Sequence, residues 1–324
     1  MKYLKLFSDV PEVSALCLGT VFFGNDLSKE DSFRQMDFFF ERGANFFDTA
    51  RMYADWLPNG HGTSESTLGA WIKDRKCRDR VIVSTKGAHP DLNTMNVGRM
   101  SQKELQSDLE ESLKTLGIDC IDIYFLHRDD VSRPVEEILG NLESFRKAGK
   151  IKHYGCSNWT LARMEAADKA ASAGTFEGFS CDQIRFGLAD LNAGEISDPT
   201  LVPMDKSILA WHEKTKKPVM AYTSSCNGYF SKKLKNRTVP AEHEAVYDNP
   251  SNRELLKKLE QWEKDFNIPA SALVSAYVMA QDFPSVPISA FSSPRQLEEL
   301  LLAADFSFPG EIMGEIRKIK RFLI

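Results

Sequence analysis

A (β/α)8 barrel of the α/β class, a TIM-type barrel, is the architecture this sequence predicts, on three observations. Short β-branched or apolar runs alternate with amphipathic segments, and eight such pairs run through the 324 residues. No linker rich in Pro, Gly or Ser, no low-complexity tract and no composition shift divides the chain. The apolar runs close on polar residues, which is where a barrel of this kind carries its chemistry. Length alone, at roughly 150 residues per domain, would suggest about two domains. The unbroken alternation predicts a single barrel domain over residues 1–324, with long loops at the carboxyl face.

The opening MKYLKLF…ALCLGT holds two strand-like pieces and reads as an N-terminal β-hairpin closing the barrel bottom. The expected strands are Ala15–Gly19, Ala44–Asp48, Val81–Ser84, Ile121–Leu126, Ile151–Cys156, Ser180–Ile184, Pro218–Tyr222 and Val286–Ser289. Helices are expected over Lys29–Arg42, Ser64–Asp74, Gln102–Leu116, Pro134–Ala148, Leu161–Ala173, Met204–Thr215, Asn252–Phe266 and Pro294–Ala303. An additional helix over Pro269–Gln281 precedes the last strand. The third helix is the clearest, with Ser101 and Glu104 at capping-box spacing, Leu105, Leu109, Leu113 and Leu116 on one face, and Gly117 as the stop. An open dinucleotide-binding sheet would need G-x-G-x-x-G after the first strand. The chain has Cys17-Leu18-Gly19-Thr20 there, and Glu65 stands where a third glycine would follow Gly60 and Gly62.

Composition removes other classes. With 41 Lys+Arg against 46 Asp+Glu the net charge is −5, which gives no basic field for nucleic acid or an anionic membrane. The first residues lack the apolar run of about 7–15 residues that a signal peptide needs, and no stretch approaches roughly 18 apolar residues. A cytoplasmic protein is therefore expected. The six cysteines are too scattered for a C-x-x-C pair and read as reduced core thiols, with no metal site.

Polar residues closing successive strands are Asp48, Lys86, His127, Ser157-Asn158, Gln183 and Tyr222, with Tyr53 five residues beyond Asp48. Each alone has a plainer explanation: a turn cap, a rim aromatic, a snorkelling lysine, a core histidine. Together they suit proton transfer to a carbonyl oxygen. A tyrosine is a poor acid near neutrality unless a cation stabilises its phenolate, which Lys86 can supply. Asp48 would orient and neutralise that lysine, and a neutral His127 would hydrogen-bond the substrate oxygen. Gly155-Cys156-Ser157-Asn158-Trp159 nearly spells a hydrolase nucleophile elbow, but Trp159 replaces the second glycine and no Ser…Asp…His order supports it.

The segments FFDTARMYADW, VIVSTKGAHP, SLKTLGIDCIDIYFLHRDD and GKIKHYGCSNW, followed by the Gln183 strand, resemble successive signatures of the aldo-keto reductase superfamily, collinear from about Leu16 to Leu302. The resemblance implies a barrel reductase that transfers a hydride from NAD(P)H to an aldehyde or ketone. It implies a catalytic tetrad of Asp48, Tyr53, Lys86 and His127. Cofactor contacts would come from Gly19, Thr20, Asp48, Ser157, Asn158, Gln183 and Tyr222, then from Ser224, Ser225 and Gly228 over the pyrophosphate. Ser292, Gln296 and Glu299 would continue the cofactor contacts after the last strand, although the expected basic residue reads Ala290 or Ser292 and the expected Asn reads Leu300. NADP(H) is preferred by family habit, with NAD(H) the rival. Arg295, Lys232, Lys233, Lys235 and Arg237 are available positive charges.

Substrate walls are expected from Phe22, Phe23, Met52, Trp56, His127, Arg128, Asp129 and Trp159. The run Arg128-Asp129-Asp130 suits a polar, sugar-like carbonyl better than a greasy one. The expected partner is thus a small-molecule carbonyl, and the expected state a monomer or small homo-oligomer. The rival reading is a non-catalytic or slow NADPH-binding regulatory protein of the same fold.

Overall fold

The computed structural model describes residues 1–174, 176–291 and 293–322. A short antiparallel pair, β1 (Tyr3–Leu4) and β2 (Val13–Ser14), precedes the barrel. The barrel strands are β3 (Cys17–Gly19), β4 (Phe46–Asp48), β5 (Ile82–Gly87), β6 (Ile121–Leu126), β7 (Ile151–Ser157), β8 (Asp182–Arg185), β9 (Val219–Tyr222) and β10 (Ser285–Ser289). Each pairs in parallel with the next, and β10 returns to β3 to close the ring. The expected (β/α)8 architecture and the N-terminal hairpin are both present.

The helices are α1 (Lys29–Glu41), α2 (Thr63–Arg75), α3 (Gln102–Leu116), α4 (Val135–Lys147), α5 (Leu161–Ala173), α6 (Lys206–Thr215), α7 (Tyr229–Leu234), α8 (Ala241–Tyr247), α9 (Pro250–Phe266), α10 (Ala270–Met279), α11 (Pro294–Asp305) and α12 (Gly310–Ile319). In α3 the capping box forms as the sequence predicts, with Ser101 accepting from the Glu104 amide and Gly117 ending the helix at φ +65°. The short helices α7 and α8 after β9, and α12 near the end of the described chain, were not expected. No helix among the described residues is long and apolar enough to cross a membrane.

Strand alternation sorts the side chains into two cores. Leu18, Phe47, Val83, Tyr124, Leu126 and Tyr154 face outward under the helices, in one large buried cluster. Cys17, Phe46, Ile82, Ile123, Phe125, Cys181, Met220 and Val286 fill the barrel axis. Phe125 occupies so much of that axis that the facing position on β7 must be glycine. A Cβ on Gly155 would lie 2.6 Å from Phe125 Cε1 and 2.6 Å from the Cys181 carbonyl oxygen. The hairpin seals the lower end: Val10 and Val13 join the axial cluster, and Phe7 stacks on His153 with ring centroids 3.9 Å apart.

The end of the described chain is fastened to the loop after β8. Buried Lys320 donates from Nζ to the carbonyls of Gly187, Leu188 and Ala189 and pairs with Asp190 at 3.2 Å. The Asp190 carboxylate in turn accepts the amides of Arg321 (2.7 Å) and Phe322 (3.2 Å).

Candidate active site

The carboxyl ends of β4, β5, β6 and β8 bring Asp48, Lys86, His127 and Gln183 to the top of the axial core. Lys86 and Asp48 are each 1% exposed, so their pairing matters: either charge left alone there would be strongly unfavourable. Lys86 Nζ donates to Asp48 Oδ2 (2.6 Å), to the Thr49 carbonyl (2.6 Å) and to Tyr53 Oη (3.0 Å). Those bonds use all three donors of an ammonium. Burial alone would lower the lysine pKa, but Asp48 and Tyr53 hold it above its ordinary value. Asp48 Oδ1 accepts from Ser84 Oγ (2.7 Å) and Gln183 Nε2 (2.9 Å), so one carboxylate joins three strands.

Tyr53 behaves differently from the sequence expectation. Lys86 does pull its pKa down, but burial outweighs that pull and Asp48 adds to it, so the phenol sits above its usual value near 10. The resting tyrosine therefore keeps its proton. Because an ammonium cannot accept a hydrogen bond, the phenol oxygen is the acceptor from Lys86 and its own hydrogen points elsewhere. His127 stands edge-on to Tyr53 with centroids 6.0 Å apart. Its Nδ1 is sealed and without a partner among the described residues, which leaves Nε2 as the nitrogen available to the cleft. Burial, then Arg128, His89 and Lys86, hold its pKa well below the ordinary histidine value, so the ring is neutral.

The loop carrying Tyr53 is braced from outside the barrel. Arg51 pairs with Asp108 on α3 at 3.2 Å and with Glu111 at 3.0 Å, and His61 bridges Asp55 and Glu111. Behind it Glu65 of α2, fully buried, accepts from Thr85 Oγ1 at 2.6 Å, and burial pushes its pKa up to about 7.

On the other side of the axis, Asn158 sits at φ +61° with Nδ2 donating to the His127 carbonyl (3.2 Å) and to Ser157 Oγ (3.0 Å). Asn158 Oδ1 accepts the Tyr222 hydroxyl at 2.6 Å. These bonds leave the Ser157 hydroxyl hydrogen as a donor and Gln183 Oε1 as an acceptor, one of each for a carboxamide.

Several expected site residues are placed elsewhere. Phe23 is 1% exposed and belongs to the outer core; it is not a substrate wall. Trp159 is fully buried, edge-on to Phe179 at 4.7 Å with its indole nitrogen donating to the Arg128 carbonyl, so it backs the site without lining it. Phe22 and Trp56 do reach the rim, at 44% and 47% exposure. Thr20 Oγ1 is buried between the Asp48 carbonyl and Ser64, and Ser224 Oγ donates to the Ile288 carbonyl, so both hydroxyls already serve the scaffold. A Cβ on Gly19 would meet Ile288 Cγ2 at 3.0 Å, so this glycine admits β10 closely.

Ser225 is exposed, Gly228 starts α7 at φ +70°, and Gln296 lies on the exposed face of the first turn of α11. Glu299 accepts from Ser271 at 2.7 Å and pairs with Arg295 at 3.3 Å. Lys232 donates to the Asn227 carbonyl and Lys233 pairs with Glu244. Ser292 lies outside the described residues.

Of the charged run beside His127, Asp129 is held by Arg163 and Asp130 by Arg133 and Ser132. Arg128, 8% exposed and gripped by Asp198 (2.9 Å) and Thr200 (2.7 Å), lies close enough to His127, Tyr53 and Tyr222 for its charge to act on all three. Sequence reading did not find Ser84, His89, Asp198 or Thr200. The last two lie in a long loop with no periodicity, and His89 lies past the strand end where the period-2 signal stops.

A family model described as the aldo/keto reductase family matches residues 15–321. An uncharacterized oxidoreductase, YrpG, of Bacillus subtilis is 28% identical over 98% of this chain and 96% of its own length. The aldo-keto reductase yakc [NADP(+)] of Schizosaccharomyces pombe is 27% identical over 95% of this chain and 88% of its own. Among solved structures, an aldo-keto reductase from Klebsiella pneumoniae in complex with NADPH superposes with a TM-score of 0.72 at 23% identity, covering 98% of this chain and 95% of that one.

Proposed function

The chain belongs to the aldo/keto reductase family of NAD(P)H-dependent oxidoreductases, and we propose that it reduces a polar, sugar-like aldehyde or ketone with Tyr53 as the proton donor and NADP(H) as the preferred cofactor. The observation that carries this reading is the saturation of Lys86: with its three donors spent on Asp48, Thr49 and Tyr53, the tyrosine hydrogen is left for a substrate oxygen.

The donor–acceptor set of Ser157, Asn158 and Gln183 fits a nicotinamide carboxamide, and Tyr222 is fixed beside it by its bond to Asn158. A bound reduced nicotinamide supplies the hydride. The protein's own residues do the rest. Neutral His127 donates from Nε2 to the carbonyl oxygen and sets its approach to Tyr53. As negative charge grows on that oxygen, Tyr53 gives up its proton, and the Lys86 ammonium 3.0 Å away stabilises the phenolate left behind. Asp48 keeps Lys86 charged and in place throughout. The raised phenol pKa ensures that the donor is loaded before the substrate arrives.

Replacing Tyr53 with Phe removes one oxygen from this arrangement. The expected result is a loss of about 10²–10⁴-fold in kcat/KM, read as carbonyl-dependent NADPH oxidation, with cofactor fluorescence titration unchanged. A variant that reduces carbonyls at the native rate would assign the proton to another group.

A further inference from the structure

His89 lies three residues beyond Lys86, is 6% exposed, and takes no part in the proton chemistry above. Its ring stands edge-on to His127 with centroids 4.8 Å apart. Nδ1 is 2.7 Å from the Pro90 carbonyl oxygen, which can only accept, so Nδ1 carries the ring hydrogen. Burial, then the nearby Arg128, brings its pKa to about 4, and the ring is neutral at physiological pH. Nε2 is consequently a lone-pair acceptor, and no group among the described residues donates to it.

Charged groups from three other loops surround this ring: Arg128 after β6, Asp198 after β8 and Asp55 after β4. Arg128 spends three N–H groups on Thr200, the His127 carbonyl and Asp198. A guanidinium has five, so one hydrogen remains on each terminal nitrogen. An acceptor, His89 Nε2, and a charged donor, Arg128, thus stand beside His127, with the carboxylate of Asp198 already committed to Arg128 and Thr200.

We propose that His89 and Arg128 together bind a substrate hydroxyl on the carbon next to the carbonyl, making the enzyme selective for 2-hydroxy aldehydes and ketones. This selectivity presupposes the reductase reading above. A hydroxyl donates and accepts at once, which is what this pair requires. A carboxylate has no hydrogen for Nε2, and an ammonium would face the Arg128 cation. A methyl group would strip water from Nε2 and give nothing back. Two imidazoles with centres 4.8 Å apart are also spaced to hold two oxygens on adjacent carbons, the carbonyl at His127 and the hydroxyl at His89.

The test compares kcat/KM for lactaldehyde and for propanal, which differ only in that hydroxyl, in the native enzyme and in His89→Phe. The native ratio is expected to favour lactaldehyde by about tenfold or more, and His89→Phe to lower that ratio about tenfold, mainly through KM. His89→Asn, which restores an acceptor, should recover part of the ratio; His89→Ala carries the same comparison should the Phe variant fail to fold. A ratio unchanged in the variants, or a native enzyme indifferent to the hydroxyl, overturns the proposal. Native protein that binds NADPH in a fluorescence titration but reduces neither aldehyde overturns the reductase reading itself, a result distinct from indifference.

Discussion

Phe46, Cys181 and Met220 face the barrel axis in its apolar layer; two residues further along the chain Asp48, Gln183 and Tyr222 face it at the carboxyl end. Below, side chains are held by shape. Above, each is held by a directed bond to another, and Asp48 alone accepts from Ser84, Lys86 and Gln183. The difference teaches how the fold keeps an ion pair in its interior: the apolar layer excludes water, and the upper layer gives the Lys86 ammonium an acceptor for each of its three donors. A loss below leaves a void, whereas a loss above leaves orphaned charge.

Lys86→Met breaks the upper layer most severely. It leaves the Asp48 carboxylate buried without its cation, for an expected destabilisation of about 3–5 kcal/mol in urea unfolding. Reductase activity should fall by about 10³-fold or more. Native-like stability in this variant would mean that the upper layer, too, is held by packing.

Phe125→Ala tests the layer beneath. The expected cost is also about 3–5 kcal/mol, but without loss of a charge partner, so kcat/KM per folded molecule should fall by less than about tenfold. An activity loss as large as that of Lys86→Met would erase the distinction between the layers.

Glu65 offers the smallest and most pH-specific effect. Its folded pKa is raised from 4.5 to about 7, so the folded state holds its proton more tightly than the unfolded chain does. Below pH 4.5 both states are protonated and no penalty exists. As pH rises to about 7 the penalty grows to roughly 3 kcal/mol at most, and stability falls. Glu65→Gln should therefore match the native protein near pH 4 and exceed it at pH 8 in parallel chemical denaturations. A constant difference across that range would mean that Glu65 titrates normally.

The barrel was legible because its signals are local: alternation within each strand, and caps such as Ser101 with Glu104. The tetrad was legible for the same reason, since strand ends announce which side chains reach the carboxyl face. What a loop aromatic does is not local. Phe23 and Trp159 stand beside strand ends just as Phe22 and Trp56 do, yet two turn into the core and two reach the rim. That choice depends on space left by distant helices. Arg128, Asp129 and Asp130 are consecutive, and only their partners Asp198, Arg163 and Arg133 decide which one serves the cleft. The rise of the Tyr53 pKa had the same origin: the cation was visible in the sequence, the depth of burial was not.

The Lys320 clamp gives the site a place in time. The loop after β8 supplies Asp198 and Thr200 to Arg128, yet its carbonyls at 187–189 are capped by an amine 132 residues downstream of Leu188. At about 5–20 residues per second, synthesis of that stretch takes on the order of ten seconds. The loop after β8 waits about that long for the ammonium that caps its carbonyls and pairs with Asp190.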